Sequence, residues 1–181
     1  MPTLQCHGDC AGSPIERIEA TLDLTSVAGQ AIVTARFRLL GDCSRIAIPP
    51  RGSVRREDGL WRHTCFEFFL RSRAAAGYVE VNLAPSAEWA AYAFSGNRAG
   101  MRPIEAAAPA IDVSVSDCAL ALDASLPLAA LADPAATSYE AALSAVIESR
   151  EGTLSYWALV HPDPLRPDFH HPGSFVHEIR H

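Results

Sequence analysis

The chain has 181 residues, of which 49% are hydrophobic and 20% charged, and its formal net charge is -6 at pH 7. Such values are typical of a globular protein that buries one substantial core, so we expect a single domain over residues 1–181, and the acidic balance argues against a nucleic-acid partner or an anionic membrane surface. No apolar run approaches the roughly 20 residues of a membrane span, and no export signal opens the chain, so we expect a cytoplasmic protein.

The first dozen residues, MPTLQCHGDCAG, group Cys6, His7, Asp9 and Cys10. This spacing is typical of half a zinc knuckle, but no second Cys or His pair follows nearby, so we expect a frayed terminus and no metal. In a chain without an export signal, all five cysteines are expected to be reduced thiols.

Short strand-like segments then recur along the whole chain. Segments 15–24 and 30–40 alternate apolar and polar residues on either side of Ala28 and Gly29, which predicts a β-hairpin. Segment 127–133 predicts one or two helical turns that begin at Pro127. Segment 138–149 also fits a helix, but its β surroundings favour a strand. The other strand-like segments are 45–49, 60–70, 77–85, 88–95, 110–116, 118–125, 153–161 and 174–179. About ten short strands without helices of normal length predict an antiparallel β-sandwich.

One predicted strand, LWRHTCFEFFL (60–70), places Glu67 between two phenylalanines. Alternation puts Trp61 and Glu67 on one side of this strand, and it puts Glu80 and Asn82 on the polar side of the next strand. If residues 71–76 form the connecting loop, Glu67 lies opposite Glu80, whereas a shift of two residues puts it opposite Asn82.

Like charges that face each other across a sheet are unfavourable by up to about 1 kcal/mol. A compensating group is therefore expected, and the candidates are Arg98, Arg71, a bound cation or the hydroxyls of a ligand. Trp61, Trp89 and Tyr92 add aromatic rings to these acids and amides, which is a combination that binds sugars. A solvated sheet face with ordinary cross-strand pairs is the alternative.

The segment HPDPLRPDFHHPG (161–173) is long for a loop between two strands. Long ordered loops are often functional, and prolines reduce the entropy lost when one conformation is held. We expect His161, Asp168 and His170 to form a hydrogen-bonding rim of the binding site, or else a purely structural corner. A metal bound by Asp168 with either histidine is the alternative, although no spacing here is diagnostic.

Catalytic motifs are missing from the sequence, which contains no nucleophile elbow, P-loop or dinucleotide fingerprint. Glu67 and Glu80 match the carboxylate pair of a glycosidase in composition. On one sheet face, however, both would lie on the same side of a sugar ring, so we expect no catalysis.

Three blocks make the chain resemble the DOMON-like domains related to family 9 carbohydrate-binding modules: LWRHTCFEFFL, YVEVNLAPSAEWAAYAFSGNRAGM and YWALVHPDPLRPDFHHPGSF. The resemblance runs from about Leu60 to the C terminus. It implies a two-sheet β-sandwich that binds a small ligand, which is a sugar in the carbohydrate modules and haem in some other DOMON domains.

In the family 9 modules a tryptophan clamp holds a terminal sugar and a glutamate bonds its hydroxyls. Trp61 and Glu67 match that block, and the resemblance implies Trp89 or Trp157 as the second clamp residue. Those modules are usually secreted and attached to a glycanase, whereas the present chain is expected to be a lone cytoplasmic domain.

Together these patterns predict a non-catalytic β-sandwich that binds a small molecule, most simply a carbohydrate, without a cofactor. The predicted ligand-binding residues are Trp61, Glu67, Glu80, Asn82, Trp89, Arg98, His161, Asp168 and His170. The alternatives are a haem or metal binder that uses Met101 with a loop histidine, a glycan-processing enzyme, and an interaction module whose surface is flat over these residues.

Overall fold

A computed structural model describes residues 1–8, 13–73, 75–136 and 138–180. These residues form thirteen β-strands, with bounds β1 Thr3–Cys6, β2 Ile15–Val27, β3 Gln30–Gly41, β4 Arg55–Arg56, β5 Cys65–Ser72, β6 Tyr78–Leu83, β7 Glu88–Phe94, β8 Arg102–Pro103, β9 Ala110–Val115, β10 Ala119–Pro127, β11 Ser138–Glu148, β12 Leu154–Ala158 and β13 His177–Arg180. Four single 3-10 turns lie between them, at Cys43–Arg45, Leu60–Arg62, Leu128–Ala130 and Pro172–Ser174. None of the helical segments in the described ranges is long and apolar enough to span a membrane. The predicted all-β class is confirmed.

The strands pair in the order β4-β7-β6-β5-β11-β12-β1-β2-β3-β10-β9, with β13 beside β11 and β8 beside β7. The pairing is antiparallel, as predicted, apart from the two-residue parallel pair of β4 with β7. Strand β1 bonds to both β12 and β2, so a single sheet curls into an open half-barrel instead of dividing into two sheets. The two-sheet form of the prediction is therefore not confirmed.

The curled sheet encloses one main core. The predicted hairpin of β2 and β3 is present, and Ala28 and Gly29 turn the chain with positive φ angles of 50° and 80°. Its apolar residues point inward, and the ring of Phe37 on β3 lies 5.1 Å from the ring of Phe66 on β5. Alternation along each strand thus brings the inner faces of both halves of the sheet together.

Strands β5 and β6 are buried on both sides, since every residue from Cys65 to Leu70 and from Tyr78 to Leu83 is buried. Their inner side belongs to the main core. Their outer side is covered by a smaller apolar cluster, which includes Phe169 and Phe175 from the C-terminal segment. The outer face is therefore not the open, solvated surface considered above.

Two local predictions need correction. Leu60–Arg62 is a 3-10 turn, and β5 begins only at Cys65, where β11 provides a bonding partner. The predicted strand at 45–49 is reduced to a single bridge between Ile46 and Ser149. By contrast, the ambiguous segment 138–149 is a strand, and segment 127–133 contains the expected helical turn.

The N terminus is not frayed, because β1 is hydrogen-bonded on both sides. Cys6 is disulfide-bonded, so the prediction that every cysteine is reduced is wrong. Free thiols are found at Cys43, Cys65 and Cys118. Two members of the predicted metal motif, Asp9 and Cys10, lie outside the described residues.

Candidate ligand-binding pocket

The register of β5 and β6 decides how the two glutamates are placed. Glu67 lies opposite Asn82, and Phe69 lies opposite Glu80. Direct pairing of Glu67 with Glu80 is therefore wrong, and the register shifted by two residues is the one observed. The ladder between β5 and β6 ends with Leu70 opposite Val79, so the chain between the paired residues is two residues longer than the predicted loop 71–76. Both carboxylates still lie on the outer face.

A pocket of about 510 Å³ opens over this face. Strands β5, β6, β11 and β12 contribute to its floor, and the loop after β12 forms one wall. Most of its walls are aromatic or apolar, while its floor carries the two acids. The lining residues are Trp61, Glu67, Glu80, Phe94, Arg98, Met101, Val146, Tyr156, Pro167, Phe169 and His170.

The carboxylates of the floor are almost completely buried, with Glu67 3% and Glu80 5% exposed. Glu67 Oε2 accepts a hydrogen bond from Ser144 Oγ at 3.3 Å, and Glu80 Oε1 accepts one from Asn82 Nδ2 at 2.6 Å. Burial, together with the charge of Glu80, raises the pKa of Glu67 well above its ordinary value. Burial also raises the pKa of Glu80. The pair therefore retains a proton to a higher pH than isolated carboxyls would.

A short chain of hydrogen bonds ends at His170, which lies beside Glu80. The backbone N–H of Arg98 donates to the Tyr78 hydroxyl oxygen at 3.2 Å. The Tyr78 hydroxyl is thus left to donate its own proton to His170 Nδ1, 2.7 Å away. This bond fixes the tautomer of His170 with its proton on Nε2, which lies 3.6 Å from Glu80 Oε2.

His170 is packed among aromatic rings, with centroid distances of 5.1 Å to both Phe69 and Phe94. Burial, with a smaller effect from the nearby Arg98 guanidinium, lowers the pKa of His170 to about 4. The imidazole is accordingly neutral at physiological pH, so it offers the pocket an N–H donor and no charge.

Arg98 stands at the entrance. Its backbone is left-handed, with φ 52°, in the turn that connects β7 to β8. Its guanidinium donates to Asp168 Oδ1 at 2.7 Å, and the same oxygen accepts the backbone N–H of His170 at 3.2 Å. This ion pair ties the turn to the C-terminal loop. The other predicted counter-charge, Arg71, pairs with Glu140 at 2.8 Å.

Five of the nine predicted ligand-binding residues line the pocket: Trp61, Glu67, Glu80, Arg98 and His170. The side chain of Trp61 reaches it from a 3-10 turn and not from a strand, and its ring contacts Tyr92 edge-on at 5.9 Å. Their proximity in one concavity is what the alternation pattern required, and their binding role stays a prediction.

The remaining four do not line the pocket. Trp89 is 3% exposed in the main core, because alternation along β7 pairs it with Leu83 on the inner side. Asn82 is completely buried and positions Glu80. His161 bonds through Nε2 to the backbone oxygen of Gln5 at 2.9 Å and so anchors the loop. Asp168 positions Arg98. Trp157, the other candidate clamp residue, is also buried in the main core.

Sequence reasoning did not identify most of the apolar wall. Phe94 shares its face with Tyr92 by alternation, so a strand pattern was sufficient to find it. Tyr156, Val146 and Phe169 carried no such signal, since their place in the wall depends on the pairing of β11 with β12 and on the course of the loop. Met101 was considered only as a metal ligand.

Within the described ranges, no three or more His, Cys, Asp and Glu side chains are grouped in a way that could hold a metal ion. The chemistry of the pocket itself is that of hydrogen bonding and ring packing. Its floor offers carboxylate oxygens and one imidazole N–H, and its walls offer aromatic faces.

Comparisons with known proteins add a likeness of fold. No protein-family model matches the chain, and no curated protein matches it. Among solved structures, the chain is similar to the crystal structure of a Bacteroides uniformis protein that is provisionally named carbohydrate-binding. The match covers 91% of this chain and 78% of that one, at 13% sequence identity and a TM-score of 0.57. At that identity the likeness concerns the fold alone.

Proposed function

We propose that this chain is a non-catalytic domain that binds a carbohydrate or a sugar derivative in the pocket over β5 and β6. The observation that carries the proposal is the pair of buried carboxylates, Glu67 and Glu80, on the floor of a pocket whose walls are aromatic. Its volume of about 510 Å³ lies within the range of about 300–1,000 Å³ that small-molecule sites occupy.

The geometry suits a polyol. Carboxylate oxygens accept hydrogen bonds from hydroxyl groups, and the Nε2–H of His170 donates one. The rings of Trp61, Phe94 and Phe169 offer apolar faces to the C–H side of a sugar ring. Such a site combines a few directed polar contacts with a large apolar contact area.

Two further observations support a binding role. The resemblance to DOMON-like domains related to family 9 carbohydrate-binding modules and the name of the Bacteroides uniformis protein both point to carbohydrates. Both glutamates belong to neighbouring strands of one sheet face, so they approach a bound ring from the same side. That placement does not suit the bracketing carboxylates of a glycosidase.

The haem alternative has less support. It requires a loop histidine with a free ring nitrogen, and in His170, the histidine that lines the pocket, Nδ1 already accepts the Tyr78 proton. Its Nε2 faces Glu80 at 3.6 Å. An absorption spectrum after incubation with haemin tests this alternative directly.

A monosaccharide screen by thermal shift, followed by calorimetry on the hits, tests the proposal. A ligand at a hundredfold excess over its Kd stabilises the folded state by about 2.7 kcal/mol, which is easily detected. We expect Trp61→Ala to weaken binding at least tenfold. Trp89→Phe, the matched control in the core, should lower the melting temperature but leave the Kd within twofold. Failure of every sugar to stabilise the protein, or wild-type binding by Trp61→Ala, would refute the proposal.

A further inference from the structure

Among the described residues, no cationic side chain is hydrogen-bonded to Glu67 or Glu80, although the Arg98 guanidinium also lines the pocket. The hydrogen bonds that they accept from the described residues come from neutral groups, the Ser144 hydroxyl and the Asn82 amide. Glu67 Oε1 accepts none from the described part of the chain. The nearest guanidinium, that of Arg98, is bound to Asp168 at 2.7 Å.

Two ionised carboxylates on a buried floor are strongly unfavourable unless positive charge reaches them. A protein can meet this requirement with a proton, or a ligand can bring the charge. An ammonium group carries three N–H donors and one positive charge. It therefore matches a floor whose carboxylates have open acceptor sites and no cation hydrogen-bonded to them among the described residues.

Resting on the proposed function, we infer that the ligand is an amino sugar, whose protonated amine binds between Glu67 and Glu80 while its ring packs against the aromatic wall. The aromatic wall also favours an amino sugar, since an ammonium group is attracted by the faces of aromatic rings such as those of Trp61 and Phe94. A neutral sugar of the same shape offers hydroxyls alone and brings no positive charge to the two carboxylates.

The other charged or titratable groups around the pair do not supply the missing charge. The charge of Arg98 lowers the pKa values of both glutamates, but its guanidinium is bonded to Asp168 and burial outweighs its effect, so both pKa values stay raised. His170 is neutral. Burial keeps the Cys65 thiol protonated, because it raises the pKa of that thiol well above its ordinary value. The charged or titratable groups that line the pocket or bond to its lining are, among the described residues, Glu67 on β5, Tyr78 and Glu80 on β6, Arg98 in the turn after β7, Tyr156 on β12, and Asp168 and His170 in the C-terminal loop. Cys65 lies on the same face of β5 as Glu67, and Tyr92 on β7 bonds to Asp58, which is paired with Arg56.

The inference predicts proton release on binding. Because burial raises the pKa values of Glu67 and Glu80, the empty pair holds a proton at a pH where ordinary carboxyls have lost theirs. An ammonium that enters the floor displaces that proton. Affinity should therefore fall as the pH falls below the raised pKa values, by up to about tenfold per pH unit for one proton exchanged.

The test is isothermal titration calorimetry on the full chain with glucosamine, galactosamine and mannosamine. Each is compared with its N-acetyl form and with its parent hexose, so the ring is held constant and only the charge at one position changes. We expect at least one amino sugar to bind ten times more tightly than both of its neutral counterparts. Its apparent binding enthalpy should differ between two buffers of unlike ionisation enthalpy, since protons are released.

Glu67→Gln supplies the variant test, because it removes one charge and keeps two hydrogen-bonding atoms. We expect it to weaken amino-sugar binding about 10- to 100-fold, which is the range for a lost charged hydrogen bond. Its preference for the amine over the parent hexose should fall to within about twofold. Glu16→Gln, at an exposed position of β2, removes the same charge elsewhere and should leave the preference unchanged.

The outcomes separate the two proposals. If a neutral hexose binds as tightly as its amino form, or binding releases no protons, the inference about charge is overturned and sugar binding stands. If none of the nine sugars binds, the proposed function and the inference both fail.

Discussion

His170 makes stability depend on pH in a way that reports whether the C-terminal loop closes over the sheet face. Its pKa of about 4 lies well below the ordinary 6.5. Between those values the unfolded chain binds a proton that the folded protein does not, so the folded state loses stability as the pH falls from 6.5 to 4. This difference in pKa corresponds to about 3 kcal/mol in the free energy of unfolding. Little of it is screened by solvent, since the side chain is 15% exposed.

His170→Gln cannot titrate in this range, but it keeps an acceptor for Tyr78 and a donor toward Glu80. Urea unfolding at several pH values from 4 to 8 gives the free energy of unfolding of both proteins. The variant should be less stable at pH 7, because an imidazole packed among aromatic rings is lost. The difference in free energy of unfolding between wild type and variant should narrow by up to about 3 kcal/mol at pH 4, where folding of the wild type buries a charged His170.

The comparison cancels the titration of every group that both proteins share. His63→Gln, at a side chain that is 70% exposed, controls for the removal of an imidazole from the surface. A difference in free energy of unfolding between wild type and His170→Gln that stays constant from pH 7 to pH 4 would contradict the lowered pKa of His170. It would mean that the loop does not hold His170 in the neutral, buried state.

Two further predictions concern stability without ligand. Glu67→Gln should raise the free energy of unfolding at pH 7 by about 1 kcal/mol or more, since it relieves the folded protein of either holding a proton on the buried pair or burying two like charges. The stability gained by this variant should vanish near pH 4. The reason is that the raised pKa of Glu67 makes the wild type lose stability only as the pH rises above the ordinary carboxyl range. A variant less stable than wild type at pH 7 would contradict this. Gly41→Ala should destabilise by about 2 kcal/mol more than Gly29→Ala in chemical denaturation. A Cβ at Gly41 would clash with the backbone oxygen of Pro14, whereas Gly29, also at positive φ, borders open space. Equal losses of stability in the two variants would exclude that clash.

Features that depend on near neighbours in the chain could be predicted from the sequence. The two-residue period placed Glu67 on one face of β5, with Glu80 and Asn82 on the same face of β6. The Ala28 and Gly29 turn and the alternation around it predicted the first hairpin. These features depend on sterics and polarity over a few residues, which a strand pattern records directly.

Only the tertiary structure decided which of these residues meet. The Ser144 hydroxyl that bonds Glu67 is 77 residues away in the chain, and His170 is 92 residues from Tyr78. The pattern could not show that Trp61 borders the pocket from a turn while Trp89 is buried in the core. The shift of register, the single curled sheet and the loop that covers the outer face all result from packing between distant segments. Such packing is a property of the whole chain, so no local period encodes it.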